Sequence, residues 1–331
     1  MRWSNDRPRG ERSCAHPAYG SSSLRRFERE PEPVRRHRTT ARGIIFLLFI
    51  AATLAGAAVA QTPPRAMVKG KPIVFPLVGT AKLTGSWGDP RPNGRHAGED
   101  IMAPRRAPVL AAEAGRVKWW TTSSLAGCML YLYGESGTTY LYIHLNNDLG
   151  QRNDNSGGCK SGTTFVAASG AKVDAGELIA WNGDSGDADG NPHLHFEVHP
   201  KDGPDVNPLP YLKQAVRYLF PARVGSTFTL GLRGTMTAAG DGELEIRSTH
   251  VRWWPNGRWT ELDPRAITVT VPDEAALDAD ILNAVQGGPQ RFPSGRDAVA
   301  LTVFTAPAVA TEAMLRGAPG ALAAARISKR S

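Results

Sequence analysis

The chain has 331 residues, of which 41% are hydrophobic and 21% are charged, as in a globular protein of about two domains. Its formal net charge is +8, but residues 1–42 contribute +6 of this, because they contain eleven Arg and five acidic residues. The rest of the chain is only mildly basic, so its charge gives no reason to expect a nucleic-acid-binding protein.

The first 60 residues predict an export signal. Basic residues 1–42 precede a charge-free apolar stretch, residues 44–60, which ends in Ala-Val-Ala. A basic segment, an apolar core and an Ala-x-Ala end are typical of a secretory signal, cleaved here after Ala60. An uncleaved membrane anchor is the alternative, because the stretch approaches the length of a membrane span. We therefore expect an exported protein of the periplasm, cell wall or extracellular space, in contact with the membrane only if the signal is retained.

The next segment predicts a linker followed by a β domain. Residues 61–75 are rich in Pro and Lys, which is typical of a linker. From residue 73 to residue 198, short alternating stretches lie between Gly, Asn and Asp turns, with no convincing amphipathic helix. This pattern predicts an antiparallel β-sheet domain, which we place at residues 76–221, with a short helix at residues 211–220.

Four histidines and one aspartate of this domain have a notable order. His96 and Asp100 lie in Gly-Arg-His-Ala-Gly-Glu-Asp, His144 in Tyr-Ile-His-Leu, and His193 and His195 in Pro-His-Leu-His-Phe. Strand alternation puts His193 and His195 on one face, with their apolar neighbours on the other. Two imidazoles side by side suit a metal ligand and an acid–base partner. With a carboxylate and a third His, they complete the usual set of groups of a catalytic zinc site.

This order, H-x-x-x-D, then a His in a Tyr-rich strand, then H-L-H, resembles the lysostaphin-type, or LytM-type, zinc metallopeptidases, which cut peptidoglycan peptides. Flanking segments resemble the family as well: Trp-Gly-Asp-Pro-Arg at residues 87–91, and residues 107–112, 115–117 and 173–180. The similarity covers roughly residues 76–210, which is under half of the chain.

The resemblance implies a site with one Zn²⁺ per chain. His96, Asp100 and His195 would be the zinc ligands. His144 and His193 would stay unligated, and would orient or deprotonate the attacking water and stabilise the oxyanion. Zinc would lower the pKa of its water toward ~7 and polarise the scissile carbonyl.

The implied function is a zinc metalloendopeptidase that hydrolyses peptide bonds in peptidoglycan stem peptides or cross-bridges. Peptidoglycan peptides are the expected partners, and a monomer is the expected state. Two alternatives remain open. Relatives that have lost ligands activate cell-wall amidases without catalysis, and a secreted zinc protease could act on Gly-rich proteins instead.

The residues around the histidines allow further expectations. Tyr140 and Tyr142 share the face of the His that follows them by strand alternation, and packing is the preferred interpretation. Glu197 is either a hydrogen-bond partner of a ligand or an exposed sheet residue. Glu99 is expected to point away from the site if its segment is extended, and His199 to be an ordinary surface residue.

The cysteines indicate a disulfide bond. Cys14 would leave with the signal, which leaves Cys128 and Cys159 as a pair in an oxidising compartment. Cys159 follows a polar stretch, residues 153–158, that looks like an insertion relative to the family. A bond would close a loop of about 30 residues and contribute about 3–4 kcal/mol. Two free buried thiols are the alternative.

Residues 222–305 predict a second, smaller β-rich domain of unknown role. Strand patterns occur at residues 227–232, 243–247, 266–271 and 299–304, and a hairpin is expected around Pro-Asn-Gly at residues 255–257. Its Trp253, Trp254 and Trp259 could stack on sugars, but packing is preferred. Residues 273–286 predict a helix that starts at Asp273 and ends at Gly287-Gly288. Residues 306–331 are Ala-rich with a basic end, and a loose tail is expected.

Overall fold

The structure of the protein is a computed structural model that describes residues 71–92, 94–253, 257–293 and 298–330. The predicted export signal and residues 61–70 of the predicted linker lie outside the described residues. All described residues belong to one compact unit, Thr62–Ser331. None of the helices in these ranges is both long enough and apolar enough to cross a membrane.

The described chain is mainly β, as predicted, and its first part, residues 71–221, is called the sheet region below. Its strands are β1 (Lys82–Leu83), β2 (Pro90–Arg91), β3 (Gly94–Arg95), β4 (Glu99–Met102), β5 (Pro108–Leu110), β6 (Gly115–Ser123), β7 (Gly127–Gly134), β8 (Thr139–Leu145), β9 (Lys172–Val173), β10 (Leu178–Trp181) and β11 (His193–His199), followed by helix α1 (Leu209–Gln214). Seven of the strands form an antiparallel sheet in the order β1-β4-β11-β8-β7-β6-β9.

One face of this sheet packs in a hydrophobic core. Leu130 and Leu132 of β7, Tyr142 of β8 and Phe196 of β11 are fully buried there. Successive residues of a strand point to opposite faces, so His195 points away from this core. The apolar side chains of β11 therefore anchor the strand in the core. Its polar side chains, which include His193 and His195, lie on the other face of the sheet.

The predicted linker, residues 61–75, is wrong at its end, because residues 73–75 belong to the sheet region. Ile73, Val74 and Phe75 are buried, and they are held by hydrogen bonds from Val74 N to Ala112 O (2.8 Å) and from Phe75 N to Val216 O (2.9 Å). Burial of three consecutive apolar side chains favours an ordered segment over a solvated one. Helix α1 also differs from its prediction, since it starts two residues earlier and ends at Gln214.

The predicted disulfide bond is present. Cys128 of β7 is bonded to Cys159, with their Cα atoms 5.2 Å apart. The polar insertion before Cys159 is held further by Asp148, whose Oδ1 accepts hydrogen bonds from the backbone N atoms of Asp154 and Asn155 (2.9 Å each). The insertion is thus tied to the sheet by one covalent bond and by a buried carboxylate.

Residues 222–330 form a second β structure, called the barrel region. Its elements are β12 (Thr227–Phe228), β13 (Leu230–Gly240), β14 (Glu243–Trp253), β15 (Thr260–Thr270), α2 (Ala279–Gln286), β16 (Gln290–Arg291), β17 (Ala300–Thr305), β18 (Ala308–Val309), α3 (Glu312–Arg316) and β19 (Leu322–Lys329). Five of these strands close on themselves in the order β13-β14-β15-β19-β17, because β17 pairs again with β13. The β15–β19 pair is parallel and the other four are antiparallel.

The expectation of a loose tail after residue 305 is wrong. Strand β19 lies between β15 and β17 and completes the ring, with Leu322, Ala324 and Ile327 buried in the core. The Ala-rich composition hid this strand, since three consecutive alanines carry little of the apolar contrast from which alternation is recognised.

The predicted helix at residues 273–286 has the right end and the wrong start. It ends at Gln286, before Gly287, but begins only at Ala279, after the N-cap residue Asp278. The preceding residues are drawn toward the barrel, because Ala276 N donates to Ala325 O (2.9 Å) and Ala276 O accepts from Ile327 N (3.0 Å). β14 and β15 pair as the predicted hairpin, and its turn residues 254–256 lie outside the described residues.

Candidate metal centre

Strand pairing brings three of the predicted site residues together. β11 pairs with β4, and His195 lies directly opposite Asp100. Directly opposed residues have their Cβ atoms within about 5.5 Å, so their side chains meet on one face. His96, in the segment that leads into β4, is buried beside them. His96, Asp100 and His195 thus form a group whose donor atoms lie close enough to hold one metal ion.

The distances within this group suit a small cation. His96 Nε2 is 2.8 Å from His195 Nδ1 and 3.0 Å from Asp100 Oδ1, and His195 Nδ1 is 3.1 Å from the same oxygen. Ligands about 2.0–2.1 Å from a tetrahedral zinc ion lie roughly 3.3 Å from one another. Binding would therefore need the three atoms to separate by only a few tenths of an ångström.

The outer nitrogens of the two histidines decide which atoms could bind a metal. His96 Nδ1 is 2.9 Å from Ser86 O, and His195 Nε2 is 2.9 Å from Glu197 Oε1. Both partners are acceptors, so these nitrogens carry the protons, and in neutral rings His96 Nε2 and His195 Nδ1 hold lone pairs. Two lone pairs and a carboxylate oxygen at these distances repel each other unless a cation lies between them. The donor set fits a divalent metal, and its N and O donors suit zinc.

The electrostatics of the group favour a positive charge at its centre. Burial disfavours the protonated form of His195, but hydrogen bonds with Asp100 and Glu197 outweigh it and raise the pKa of His195 to about 9. Burial also opposes ionisation of Asp100, yet hydrogen bonds from His195 and His96 hold its pKa well below the usual range. The pKa of Glu197 is lowered to about 2, because its hydrogen bonds with His195 and His199 exceed the effect of burial.

His144 and His193 flank the group without joining it. Their Nδ1 atoms lie 2.9 Å from Ser185 O and 2.8 Å from Asn191 O, so each ring donates through Nδ1 and keeps a lone pair on Nε2. The two ring centroids are 4.7 Å apart, and His193 Nε2 is 3.6 Å from Asp100 Oδ1. Burial and then the neighbouring His193 lower the pKa of His144 to about 4, so this ring is neutral at neutral pH.

A break in strand geometry turns His144 toward the site. Its φ is +61°, in the left-handed region that non-glycine residues rarely adopt. The preceding residue, Ile143, pairs with His195, so regular alternation would have sent His144 to the opposite face. Such local strain persists where surrounding contacts fix it, and it is frequent at functional sites.

The same break explains where the tyrosines lie. Tyr140 and Tyr142 are fully buried in the hydrophobic core, so the preferred packing interpretation agrees with the structure. Tyr142 Oη accepts a hydrogen bond from Ala112 N, and Tyr140 Oη donates to Glu113. The expectation that they share a face with His144 is wrong, because alternation ends one residue before it.

The sequence analysis assigned no role in the site to two residues around His96 and Asp100. Glu99 is fully buried and accepts hydrogen bonds from Gly85 N (2.6 Å) and Ser86 N (3.1 Å), so it fixes the loop whose carbonyl holds His96. Arg91 Nη2 lies 3.0 Å from Asp100 Oδ2, which leaves Oδ1 for the metal group. The position of Arg91 in the Trp-Gly-Asp-Pro-Arg segment was the available signal; Glu99 offered none.

A hydrogen-bond chain also extends outward from His195. Glu197 is buried and joins His195 through Oε1 and His199 Nε2 through Oε2 (2.7 Å), and His199 Nδ1 donates to Gly203 O (2.8 Å). Glu197 is therefore the hydrogen-bond partner of a candidate ligand rather than an exposed sheet residue. The expectation that His199 is an ordinary surface residue is wrong, since it supports Glu197.

Comparison with known proteins finds similarity in three dimensions only. No protein-family model and no curated protein matches the sequence. The catalytic domain of the antimicrobial peptidase lysostaphin from Staphylococcus simulans is 25% identical, over 40% of this chain and 92% of that one, with a TM-score of 0.32. A zinc-containing peptidase from Vibrio cholerae is 26% identical over 41% and 39% of the two chains (TM-score 0.32). A putative glycyl-glycine endopeptidase from Ruminococcus gnavus is 22% identical over 44% and 63% (TM-score 0.34).

Proposed function

We propose that this protein is an exported zinc metalloendopeptidase that hydrolyses peptide bonds in peptidoglycan. The observation that carries the proposal is the meeting of His96 Nε2, Asp100 Oδ1 and His195 Nδ1 within 3.1 Å of one another, beside two histidines with free Nε2 lone pairs. Three protein donors with an open fourth position characterise catalytic zinc sites, whereas structural sites use four protein ligands.

The proposed ligands are held in place by groups with no other evident use. Ser86 O and Glu197 fix the rings of His96 and His195, and Arg91 fixes the carboxylate of Asp100. Zinc, when bound, would polarise the scissile carbonyl and acidify a water molecule. Partners of this kind raise metal affinity because they fix both ring orientation and tautomer.

His193 and His144 are the proposed catalytic groups. Nε2 of His193, which holds a lone pair because Nδ1 faces Asn191 O, would accept a proton from the attacking water and return it to the leaving amine. Nε2 of His144, which holds the lone pair of the neutral ring, would accept a hydrogen bond from the attacking water and orient it. Neither Ser185 nor Cys128 is an alternative nucleophile, because Ser185 Oγ donates to Leu145 O and Cys128 is in a disulfide bond.

The choice of peptidoglycan as substrate rests on the sequence. It is supported by the motif order of the five site residues and by the export signal predicted for residues 1–60. The nature of the crosslink is left to experiment.

The test is zymography with purified peptidoglycan and with a Gly-rich protein as substrates, followed by mass spectrometry of released muropeptides. We expect new peptide termini from peptidoglycan, loss of activity on chelation, and recovery with Zn²⁺. Cleavage of the protein alone would favour a general secreted protease. Stimulation of a cell-wall amidase without any cleavage would favour a non-catalytic activator, and would contradict the proposal.

A further inference from the structure

A cavity of about 770 Å³ lies where the sheet region meets the barrel region, and the proposed zinc site does not use it. One wall comes from residues 78–80 and 104–108, with Trp181. The other comes from β13, β14 and the start of β15, including residues 250–253 and 257–261. The volume is within the range of small-molecule sites, roughly 300–1,000 Å³.

The cavity is strongly basic. Five of its described lining residues are arginines, namely Arg105, Arg106, Arg233, Arg252 and Arg258, and Glu261 is the one acidic residue among them. This concentration is unusual for the chain, because the part after residue 42 has a net charge of only about +2. The cavity lining therefore has a greater excess of cationic over acidic side chains than the chain has on average.

Internal partners do not neutralise all of these arginines. Arg105 pairs with the buried Asp148 at 3.2 Å. Arg106 donates only to the neutral backbone carbonyls of residues 148–150, at 3.1–3.3 Å. Burial, followed by repulsion from Arg258, lowers the pKa of Arg106. Such mutual repulsion is relieved when an anion binds between the cations.

Arg233 also has a donor that the described residues leave without a partner. Its guanidinium carbon lies 4.0 Å from the ring centre of Trp259, and its Nε is buried without a hydrogen-bond partner among the described residues. A buried unsatisfied donor is unfavourable, so native structures normally satisfy it with a solvent molecule or a ligand. The planar guanidinium group of an arginine binds a carboxylate or a phosphate through two parallel hydrogen bonds.

Aromatic surface accompanies the charge. Trp259 packs beneath Arg233 and Arg252, so its ring supports the basic groups. Trp253 is 38% exposed and Trp181 is half-buried, and both line the cavity. An exposed indole offers a flat apolar face together with an N–H donor, which suits a ring that is apolar on its faces and polar at its edge.

We propose that this cavity binds an anionic saccharide, whose carboxylate or phosphate groups contact Arg106, Arg233 and Arg258 and whose sugar ring lies against Trp253 or Trp181. The choice of a saccharide among ring-bearing anions rests on the proposed function, because a cell-wall hydrolase meets glycans that carry such groups. A bounded cavity is suited to a few sugar units, whereas a long nucleic-acid backbone is followed by an extended basic groove.

The test is calorimetric titration of the purified protein with five probes: tetragalacturonate, a glycerol-phosphate oligomer, neutral maltotetraose, tetraglutamate and oligo(dT). We expect tetragalacturonate to bind at least tenfold more tightly than maltotetraose or tetraglutamate, because the sugar ring and the charge both contribute. The glycerol-phosphate oligomer carries phosphate charge without a sugar ring, so we expect it to bind more weakly than tetragalacturonate.

Variants locate the binding. Arg233→Gln and Arg258→Gln should each weaken tetragalacturonate binding about tenfold, as expected for loss of a charge-assisted hydrogen bond. Arg247→Gln is the matched control, since Arg247 is exposed on β14 and does not line the cavity. His195→Ala should retain the binding, so failure of the proposed peptidase activity and failure of this site give different results.

Any of the following outcomes would overturn the inference. They are equal affinity for maltotetraose, equal affinity for tetraglutamate, tighter binding of oligo(dT), and equal affinity of the Arg233 and Arg258 variants and the Arg247 control. Absence of binding by both anionic polymers at millimolar concentration would do the same.

Discussion

The sheet region and the barrel region are both antiparallel for the most part, but they bury different kinds of side chain. The buried His, Asp, Glu and Asn residues of the described chain all lie in the sheet region. The buried polar residues of the barrel region are Ser248, Thr302 and Thr305, each a small hydroxyl. Buried ionisable groups are unfavourable unless they are paired, so proteins keep them where they have a function. The contrast indicates that chemistry is confined to the sheet region and that the barrel contributes stability and surface.

The largest expected effect separates the roles within the site. His195→Ala should abolish both zinc binding and hydrolysis, because it removes a proposed ligand. His193→Ala should lower hydrolysis by about 10²–10⁴-fold, the usual contribution of general acid–base catalysis, while retaining most of the metal. Zinc content by mass spectrometry and cleavage of a fluorogenic peptide measure the two effects. Loss of zinc in His193→Ala with its retention in His195→Ala would reverse the assignment.

The disulfide bond should contribute to stability without contributing to the metal site. Cys128→Ala combined with Cys159→Ala should lower the free energy of unfolding by about 3–4 kcal/mol, as expected for a loop of this length. Zinc content should not change, since neither Cys belongs to the proposed donor group. Chemical denaturation under non-reducing conditions measures the loss. Free thiols titrated in unreduced, denatured wild-type protein would show that the bond does not form.

A core substitution in the barrel region tests whether that region contributes to the proposed metal site. Ile327→Ala on β19 should lower the free energy of unfolding by about 3 kcal/mol, because it leaves a void in a closed core. Zinc affinity and the rate of cleavage of a small soluble peptide should be unchanged at temperatures where the variant is folded. A parallel loss of zinc affinity would show that the two regions are coupled and would weaken the comparison.

The smallest effect concerns the hydrogen-bond chain behind His195. Glu197→Gln should weaken zinc binding about 10–100-fold, because the ring loses an anionic partner. Glu243→Gln, an exposed position on β14, is the control and should leave zinc affinity unchanged. Competition with a chelating dye gives the affinity. If the two variants bound zinc equally, Glu197 would have only a structural role.

Sequence reasoning selected five candidate residues that the structure brings close together, because they lie in short motifs whose spacing depends on local strand geometry. It missed Glu99 and misplaced His199, whose roles depend on contacts with loops remote in sequence. It also failed at His144 in one respect, since a single positive φ reverses the face that alternation predicts. Local sequence patterns identify the candidate site residues. The residues that support them through hydrogen bonds depend on the tertiary structure.

In the barrel region as well, local patterns predicted individual strands but not the contacts between distant segments. Its strand patterns near residues 227–232 and 299–304 were recognised, because Leu and Val alternate clearly there. β19 was not recognised, since its three consecutive alanines have low strand propensity and carry little apolar contrast. Closure of the ring could not be predicted from any single segment, because it depends on pairing between strands that are far apart in sequence.

The position of β19 has a consequence for the order of folding. β13 and β14 are adjacent in the chain and can form a hairpin as soon as residue 253 is available, but β15 and β17 gain their shared neighbour only with residues 322–329. Contacts between distant segments form slowly, because the intervening chain must first be brought together. The sheet region, whose β6, β7 and β8 pair with sequence neighbours, should therefore become protected from hydrogen exchange before the barrel does. During this interval the barrel's unpaired strand edges would be open to aggregation or proteolysis, a risk that ends only when β19 is inserted.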